Sequence, residues 1–587
     1  MDEEEIKRIL WINGLKNAVE FGGKPNKKAV IGKLIAEKSE LKSQIKKIMP
    51  IIDNTIQEIS NLNLEQQQKK LLKLDPTALD KKERKEEEKE LPELPNFKNY
   101  KKIIMRLAPY PSGALHIGNA RMVILNDEYI KKYRGELILF FDDTIGSPKS
   151  LRESPKAKYV LPEAYDLIKD GLNWLNVNYS KIYYKSDRIE IYHEYCEKLI
   201  KNGIAYVCFC SADEFREEYK NQKKNCPHRN QSIRKNLEEW GNMLSRRYKE
   251  TEAVVRLKTG MDQDNPALRD QIIMRISEAN HPRVGNKYNI WPMLEFSWAV
   301  DDHLLGITHI LRGIDLVKED LIEKFIWEHF NWPITEFMHY GRINFPNIKL
   351  SKSEARNNIK KGKYQGWDDP RTWSLQSLKM RGISPQALRR TLLDLGMSQT
   401  SINFDVRILY AKNKDIIDEI SNRYFFVEDP YLIEINGIEF EKIIAEPLLL
   451  PSNPKKGHRT IACNITKGRL ELFISSNDVK NFKNNEIIRL KDLFNIKLTQ
   501  IEKENKKVKC EYHSKELSRN YSIIQWVPKE KNIKVSIIKP NGSIVGGYGE
   551  INLYDIPMKK TIQFERYGFV NPIKIEKNEL FCYFTHY

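Results

Sequence analysis

Two short runs hold residue types suited to chemistry on a phosphorylated ligand. The first is Arg106-Leu-Ala-Pro-Tyr-Pro-Ser-Gly-Ala-Leu-His-Ile-Gly-Asn119. It opens inside an apolar stretch, Ile103-Ile-Met-Arg-Leu107, which reads as a buried parallel strand. Pro109, Pro111 and Gly113 stop that strand and hold a rigid turn. From Ala114 the pattern becomes helical, through Ile117, Ala120 and Ile124 to Tyr129. Strand, turn and helix start in this order aim unpaired N–H groups at an anion, which makes a phosphate site. His116 adds a donor, and Gly118 lets a flat base lie close to the backbone. The second run, Lys349-Leu-Ser-Lys-Ser353, follows the strand-like Tyr340-Gly-Arg-Ile-Asn-Phe345 and carries two lysines among small hydroxyl residues.

Charged residues at other strand ends extend the site. Leu137-Ile-Leu-Phe-Phe141 reads as a second buried strand and ends in Asp142-Asp143-Thr144. Carboxylates at the C-terminal end of a strand, beside a phosphate turn, sit where open α/β sheets bind ligands; capping the next helix is their alternative use. Arg312 ends a third run, His309-Ile-Leu, and faces the same crevice. A guanidinium there holds a side-chain carboxylate by two parallel hydrogen bonds, unless a structural bridge to Asp302 or Asp315 occupies it. Arg106 is similarly placed for a second carboxylate. Cys208-Phe-Cys210 and Cys226-Pro-His228 give two close pairs of ligands separated by a polar loop, the way one chain wraps tetrahedral zinc. With four protein ligands the Zn²⁺ would be structural; three buried free thiols are the alternative.

The two runs resemble the His-Ile-Gly-His and Lys-Met-Ser-Lys-Ser signatures of class I aminoacyl-tRNA synthetases. Their order and separation (352 − 116 = 236 residues) suit a dinucleotide-type fold with an insertion. Gly366-Trp-Asp-Asp-Pro-Arg371 extends the likeness to the glutamyl/glutaminyl subfamily, in particular its archaeal glutamyl type, over nearly the whole chain. The resemblance implies ATP held by Pro109, Gly113, His116, Gly118, Asn119, Leu350, Ser351, Lys352 and Ser353, with His116, Lys349 and Lys352 catalytic. It implies glutamate held by Arg106, Asp142 and Arg312, with Asp142 on the amino group, Mg²⁺ on the phosphates, and tRNA bound before activation. Some members hold zinc through the Cys208, Cys210, Cys226, His228 arrangement. Two departures stand out: Ile145-Gly-Ser-Pro148 replaces an Asp-Pro-Arg continuation, and Leu294 stands where a pocket tyrosine is usual. The lost hydroxyl removes one hydrogen bond, about 1 kcal/mol net. The competing identities are a glutaminyl enzyme, against which Arg312 argues, and a tRNA-binding paralogue without aminoacylation.

The elements that position these residues follow from length and texture. A chain of 587 residues exceeds one core, so roughly three to five domains are expected. Helical spacing dominates residues 1–75, with a break at Gly22-Gly23-Lys24-Pro25, and a charged linker follows at 80–90. The expected organisation is a helical extension with its linker over 1–98 and a Rossmann-like α/β catalytic core in two halves, 99–202 and 293–365. An acceptor-stem insertion spans 203–292, a helical stem-contact region 366–431, and two all-β anticodon-binding barrels 432–587. Trp526, Phe564 and Arg566 in the barrels read singly as packing residues. Lys539-Pro-Asn-Gly542 is a tight-turn signal. The balance of 98 − 80 = +18 suits a nucleic-acid partner, although a lysine-rich composition alone would give it. No stretch reaches membrane-span length, the acidic start is no signal peptide, and seven cysteines form no secreted framework, so the cytosol is expected. The expected partners are glutamate tRNA and L-glutamate, with glutamine tRNA and an amidotransferase added if charging is non-discriminating.

Overall fold

A computed structural model describes residues 3–20, 23, 25–38, 41, 45–75, 90–145, 159–518 and 520–587. The linker expected at 80–90, apart from Glu90, and the Gly146-Ser-Pro148 departure lie outside these residues, as do Gly22 and Lys24. The chain divides into two units, residues 1–88 and 89–587.

The first unit consists of the helices Glu3–Glu20, Lys27–Glu37, Ile45–Ser60 and Leu64–Leu74. Ile6, Leu10, Val30, Leu34, Ile48 and Ile52 recur at helical spacing and form its core. Asn63 caps the fourth helix, with Gln66 closing a capping box.

The second unit is organised by parallel strands. β1 (Ile104–Leu107) pairs with β2 (Glu136–Phe141), and β2 with β3 (Lys181–Tyr184), all parallel. The helix Ile117–Tyr133 crosses from β1 to β2. After β3 the chain leaves this sheet for an antiparallel one: β4 (Ala205–Cys208), β5 (Val254–Leu257), β6 (Ile272–Ile276) and β7 (Ile290–Pro292), in that order. The helix Ile233–Leu244 buries Trp240 and Met243 against it. The chain returns through the helix Leu294–Leu304 to the parallel pair β8 (His309–Gly313) and β9 (Glu336–Tyr340). Thr308 donates its backbone N–H to Ile104 at 2.9 Å, laying β8 beside β1. The parallel strands therefore run β3-β2-β1-β8-β9, with the central β2, β1 and β8 buried on both faces and the edge strands β3 and β9 partly exposed.

Helices Leu375–Met380, Pro385–Leu393 and Val406–Ile417 follow, the second with Ser384 as its cap and Pro385 in its first turn. Two seven-stranded, barrel-like sheets complete the unit. One, within residues 430–528, interrupts the other between Phe426–Glu428 and Asn532–Ile538. Trp526 and Phe564 are fully buried in their cores, and Arg566 pairs with Asp478 at 2.6 Å. The turn at 539–542 closes the antiparallel hairpin Asn532–Ile538/Ile544–Glu550, with Gly542 at φ +86°. Among the described residues no helix is long and apolar enough to cross a membrane.

Candidate active site

The turn after β1 and the Lys349–Ser353 run meet at one cavity of about 450 Å³. Its walls include Pro109, His116 and Asn119 from the first run and Leu350, Ser351, Lys352 and Ser353 from the second. His116 caps the helix Ile117–Tyr133, three residues later than the start read from sequence, and donates its N–H to Asn119 Oδ1 at 3.2 Å. Burial, reinforced by the charge of Lys352, pushes the His116 imidazole down to about 3, so the ring is neutral at physiological pH. Its Nδ1 is buried without a partner among the described residues.

Two glycines of the first run act one layer behind the walls. Gly113 sits at φ +141°, and a Cβ there would lie 2.3 Å from the Trp367 ring. The first run is thus packed directly on Gly366-Trp-Asp-Asp369. A Cβ on Gly118 would meet the His116 ring at 3.0 Å and Leu350 at 3.2 Å, so this close approach serves side-chain packing between the two runs. Hydrogen bonds from Ile117 N to Trp373 O (3.0 Å) and from Leu375 N to Leu115 O (2.8 Å) pin the turn to the following helical region.

Lys352 is the first residue of the helix Lys352–Lys360, which Ser351 caps by accepting from Glu354 N. Lys349 stands apart from the cavity: it is exposed and ion-paired with Glu354 at 2.8 Å. Arg356, one helical turn beyond Lys352, also lines the cavity. Its i,i+4 spacing from Lys352 is the sequence signal that marks it. Tyr110 and Ser112 complete the wall from the proline turn.

A second group of charges lies at the C-terminal edge of the parallel strands. Arg106 comes from β1, Asp142 directly follows β2, Lys185 directly follows β3, and Arg312 comes from β8. Such an edge is where open α/β sheets bind ligands. Arg106 is held at Nε and Nη2 by Asp302, the latter at 2.7 Å. Arg312 is gripped by Asp320 and by Glu323, the latter at 2.8 Å; neither Asp315 nor Asp302 is its partner. Burial pushes the Glu323 carboxyl up to about 8 against the opposing pull of Arg312. Asp142 pairs with the fully buried Lys185 at 2.9 Å. Three cations surround one indole, with Arg106, Lys185 and Arg312 at 4.6, 5.1 and 5.1 Å from the Trp298 ring centre. Asp143 is structural, accepting from Ser186 N (2.9 Å), Ser186 Oγ (2.7 Å) and Tyr165 (2.8 Å). Leu294 opens the helix carrying Trp298, and its carbonyl accepts from Ser297 Oγ at 3.0 Å. Lys185 and Trp298 were missed from sequence; the signal available was a lysine directly after a strand.

In the inserted sheet, Cys208, Cys210, Cys226 and His228 bring their ligand atoms within 4.8 Å of one another. Cys208 Sγ lies 3.9 Å from both Cys226 Sγ and His228 Nδ1, and Cys210 Sγ lies 3.4 Å from His228 Nδ1. Tyr206 backs the group, reaching Cys226 Sγ at 3.6 Å and Asp270 at 2.9 Å.

A parallel sheet with a nucleotide-sized cavity at its strand ends, closed by two distant motifs and followed by paired β-sheets, defines a class I synthetase architecture. Residues 102–419 match the family of class I (E and Q) tRNA synthetases, catalytic domain. Residues 421–513 and 523–572 match two anticodon-binding domain models of the same class. The chain belongs to this family. It is 40% identical over 588 residues to the glutamate–tRNA ligase of Pyrococcus abyssi, covering 99% of this chain and 100% of the relative. It is 39% identical over 590 residues to the glutamate–tRNA ligase of Methanocaldococcus jannaschii, covering both chains fully.

Proposed function

We propose that this protein is a glutamyl-tRNA synthetase that uses ATP to activate L-glutamate and transfers it to tRNA. The observation that carries the reading is the meeting of His116 and Lys352, 236 residues apart (352 − 116), at one cavity. A glutamate α-carboxylate oxygen attacks the α-phosphorus of ATP, the bond to the β,γ-pyrophosphate breaks, and glutamyl-adenylate forms. A hydroxyl of the terminal tRNA ribose then attacks the acyl carbon and AMP leaves. No protein nucleophile is needed; positioning and charge stabilisation do the work. Neutral His116 and Asn119 hold the nucleotide on one side. Lys352 supplies positive charge on the other, and Lys349 joins it by leaving Glu354 as the loop closes. Among the described residues the cavity lining carries no carboxylate, so Mg²⁺ would be held by the nucleotide's own phosphates.

The strand-edge charges receive glutamate: Asp142 takes the α-ammonium, and Arg106 and Arg312, each held in place by acids of the protein, line the crevice that its carboxylates enter. The inserted sheet meets the acceptor stem and the barrel-like sheets meet the anticodon, where unstacked bases are read by stacking and edge contacts. Cys208, Cys210, Cys226 and His228 hold a structural Zn²⁺ that shapes the insertion.

Aminoacylation of separate glutamate and glutamine tRNA transcripts with labelled glutamate tests the reading. Charging of the glutamate tRNA is expected. Charging of both would make the enzyme non-discriminating and require an amidotransferase downstream. tRNA binding without charging of either would refute the enzyme reading and support a binding paralogue.

A further inference from the structure

The three cations around Trp298 are not equivalent. Arg106 is committed to Asp302 through two parallel hydrogen bonds, and Arg312 is committed to Asp320 and Glu323. Both sets of acids belong to the helices flanking β8, Leu294–Leu304 and Val317–His329, and are buried. Lys185 differs. Its acid is Asp142, the carboxylate that receives the substrate's ammonium, and its other acceptor is the neutral Ser297 hydroxyl at 2.7 Å. Lys185 is wholly buried, on a flexible four-carbon stem.

Charge counting gives this pair a role. Arg106 is paired with Asp302, Arg312 with Asp320 and Glu323, and Lys185 with Asp142, while the buried Glu295 and Asp301 act on Lys185 through space without a hydrogen bond to it. When the ammonium of an amino acid takes Asp142, the wholly buried Lys185 loses the one carboxylate it is ion-paired with. An uncompensated buried charge is strongly unfavourable. The α-carboxylate must face ATP and cannot serve. Glutamate brings a second carboxylate, whereas glutamine brings none.

We infer that Lys185 is the specificity-determining residue for the substrate side chain, exchanging Asp142 for the γ-carboxylate as glutamate binds. The inference rests on the proposed glutamate activation and on Asp142 as the ammonium site. It explains how the pocket selects an acid although both of its arginines already hold acids of the protein.

The test is steady-state charging of glutamate tRNA by the full-length chain and its Lys185→Met variant, with glutamate and glutamine as competing substrates. Methionine keeps the stem volume and removes the charge. The expected result is a rise in KM for glutamate on the order of 100-fold with kcat largely retained, and a fall of tenfold or more in the preference for glutamate over glutamine. A KM within about threefold of wild type with unchanged preference, or a loss confined to kcat, would overturn the inference and leave Lys185 as a support for Asp142. Should Lys185→Met fail to melt cooperatively, Lys185→Gln, which keeps a donor toward Asp142, is read against the same criteria. Absence of charging by the wild-type enzyme would instead sink the glutamyl-tRNA synthetase reading itself.

Discussion

Replacing Cys210 by serine tests whether the inserted sheet is built around a metal. Tetrahedral zinc with Zn–S near 2.3 Å and Zn–N near 2.0 Å requires ligand separations of about 3.8 Å between sulfurs and about 3.5 Å between sulfur and nitrogen. The separations here are 3.9 Å for sulfur–sulfur and 3.9 and 3.4 Å for sulfur–nitrogen. Three of the six ligand pairs thus already match the separations that the ion demands, and all six lie within 4.8 Å. The local core contains Tyr206, Cys208, Cys210, Phe215, Cys226, Val254 and Met261, three of which are the proposed ligands, so little apolar surface remains to hold the loop without metal. Structural zinc sites bind with roughly 12 kcal/mol at neutral pH, and an equal share for each of four ligands puts Cys210→Ser at about 3 kcal/mol, roughly a hundredfold in affinity. Cobalt titration of the apoprotein should show one equivalent, with the visible bands of a tetrahedral three-sulfur, one-nitrogen site. Competition against a chelator should then place the variant about a hundredfold weaker than wild type, and proteolysis should open the 211–230 loop in both metal-stripped wild type and variant. Cys463→Ser, at a buried thiol in the C-terminal sheets, serves as the control and should change neither readout. Affinity unchanged in Cys210→Ser, or no stoichiometric cobalt spectrum in wild type, would refute the metal reading.

Three further perturbations address the catalytic half. Lys352→Ala should lower kcat for charging by about 10²–10³-fold while tRNA affinity by filter binding stays within about twofold; unchanged turnover would remove Lys352 from the site. Gly113→Ala adds a Cβ 2.3 Å from Trp367 in a left-handed backbone. It should cost about 1–3 kcal/mol in backbone strain before any repacking, lower the urea midpoint and raise the KM for ATP; an unshifted midpoint would show that Trp367 yields freely. Glu323 carries a carboxyl raised to about 8 in the fold, against an ordinary value of 4.5. Its contribution to stability is therefore full below pH 4.5 and is lost as pH rises through 8, with a slope of up to about 1.4 kcal/mol per pH unit. Glu323→Gln should flatten that part of the stability profile between pH 5 and 8, and equal slopes for the two proteins would contradict a proton on Glu323.

What the sequence made legible was whatever local chemistry determines. The proline turn, the helix start near His116 and the lysine run each announce themselves within a few residues, because cap, turn and strand propensities act over that range. The Cys208–His228 quartet was legible for the same reason, since its ligands lie within one short stretch. That Gly113 makes room for Trp367, and Gly118 for Leu350, depends on contacts across 254 and 232 residues respectively (367 − 113 and 350 − 118), and no local rule gives the choice between a ligand and a side chain as the neighbour. The interruption of one C-terminal sheet by the other was equally hidden, because strand pairing is non-local and the two sheets share one texture. Lys185 is the most instructive case. In a chain with 98 lysines and arginines a lysine reads by default as solvated surface, and only its place after β3, one strand over from Asp142, turns it into a buried charge. Arg312 shows the same limit from the other side. A guanidinium at a strand end suits a substrate carboxylate, yet Asp320 and Glu323 lie on the next helix, 8 and 11 residues on, and reach it first. On the inference drawn for Lys185, selection of an acidic side chain belongs to the cluster as a whole, in which the cation that loses its partner on binding sets the specificity.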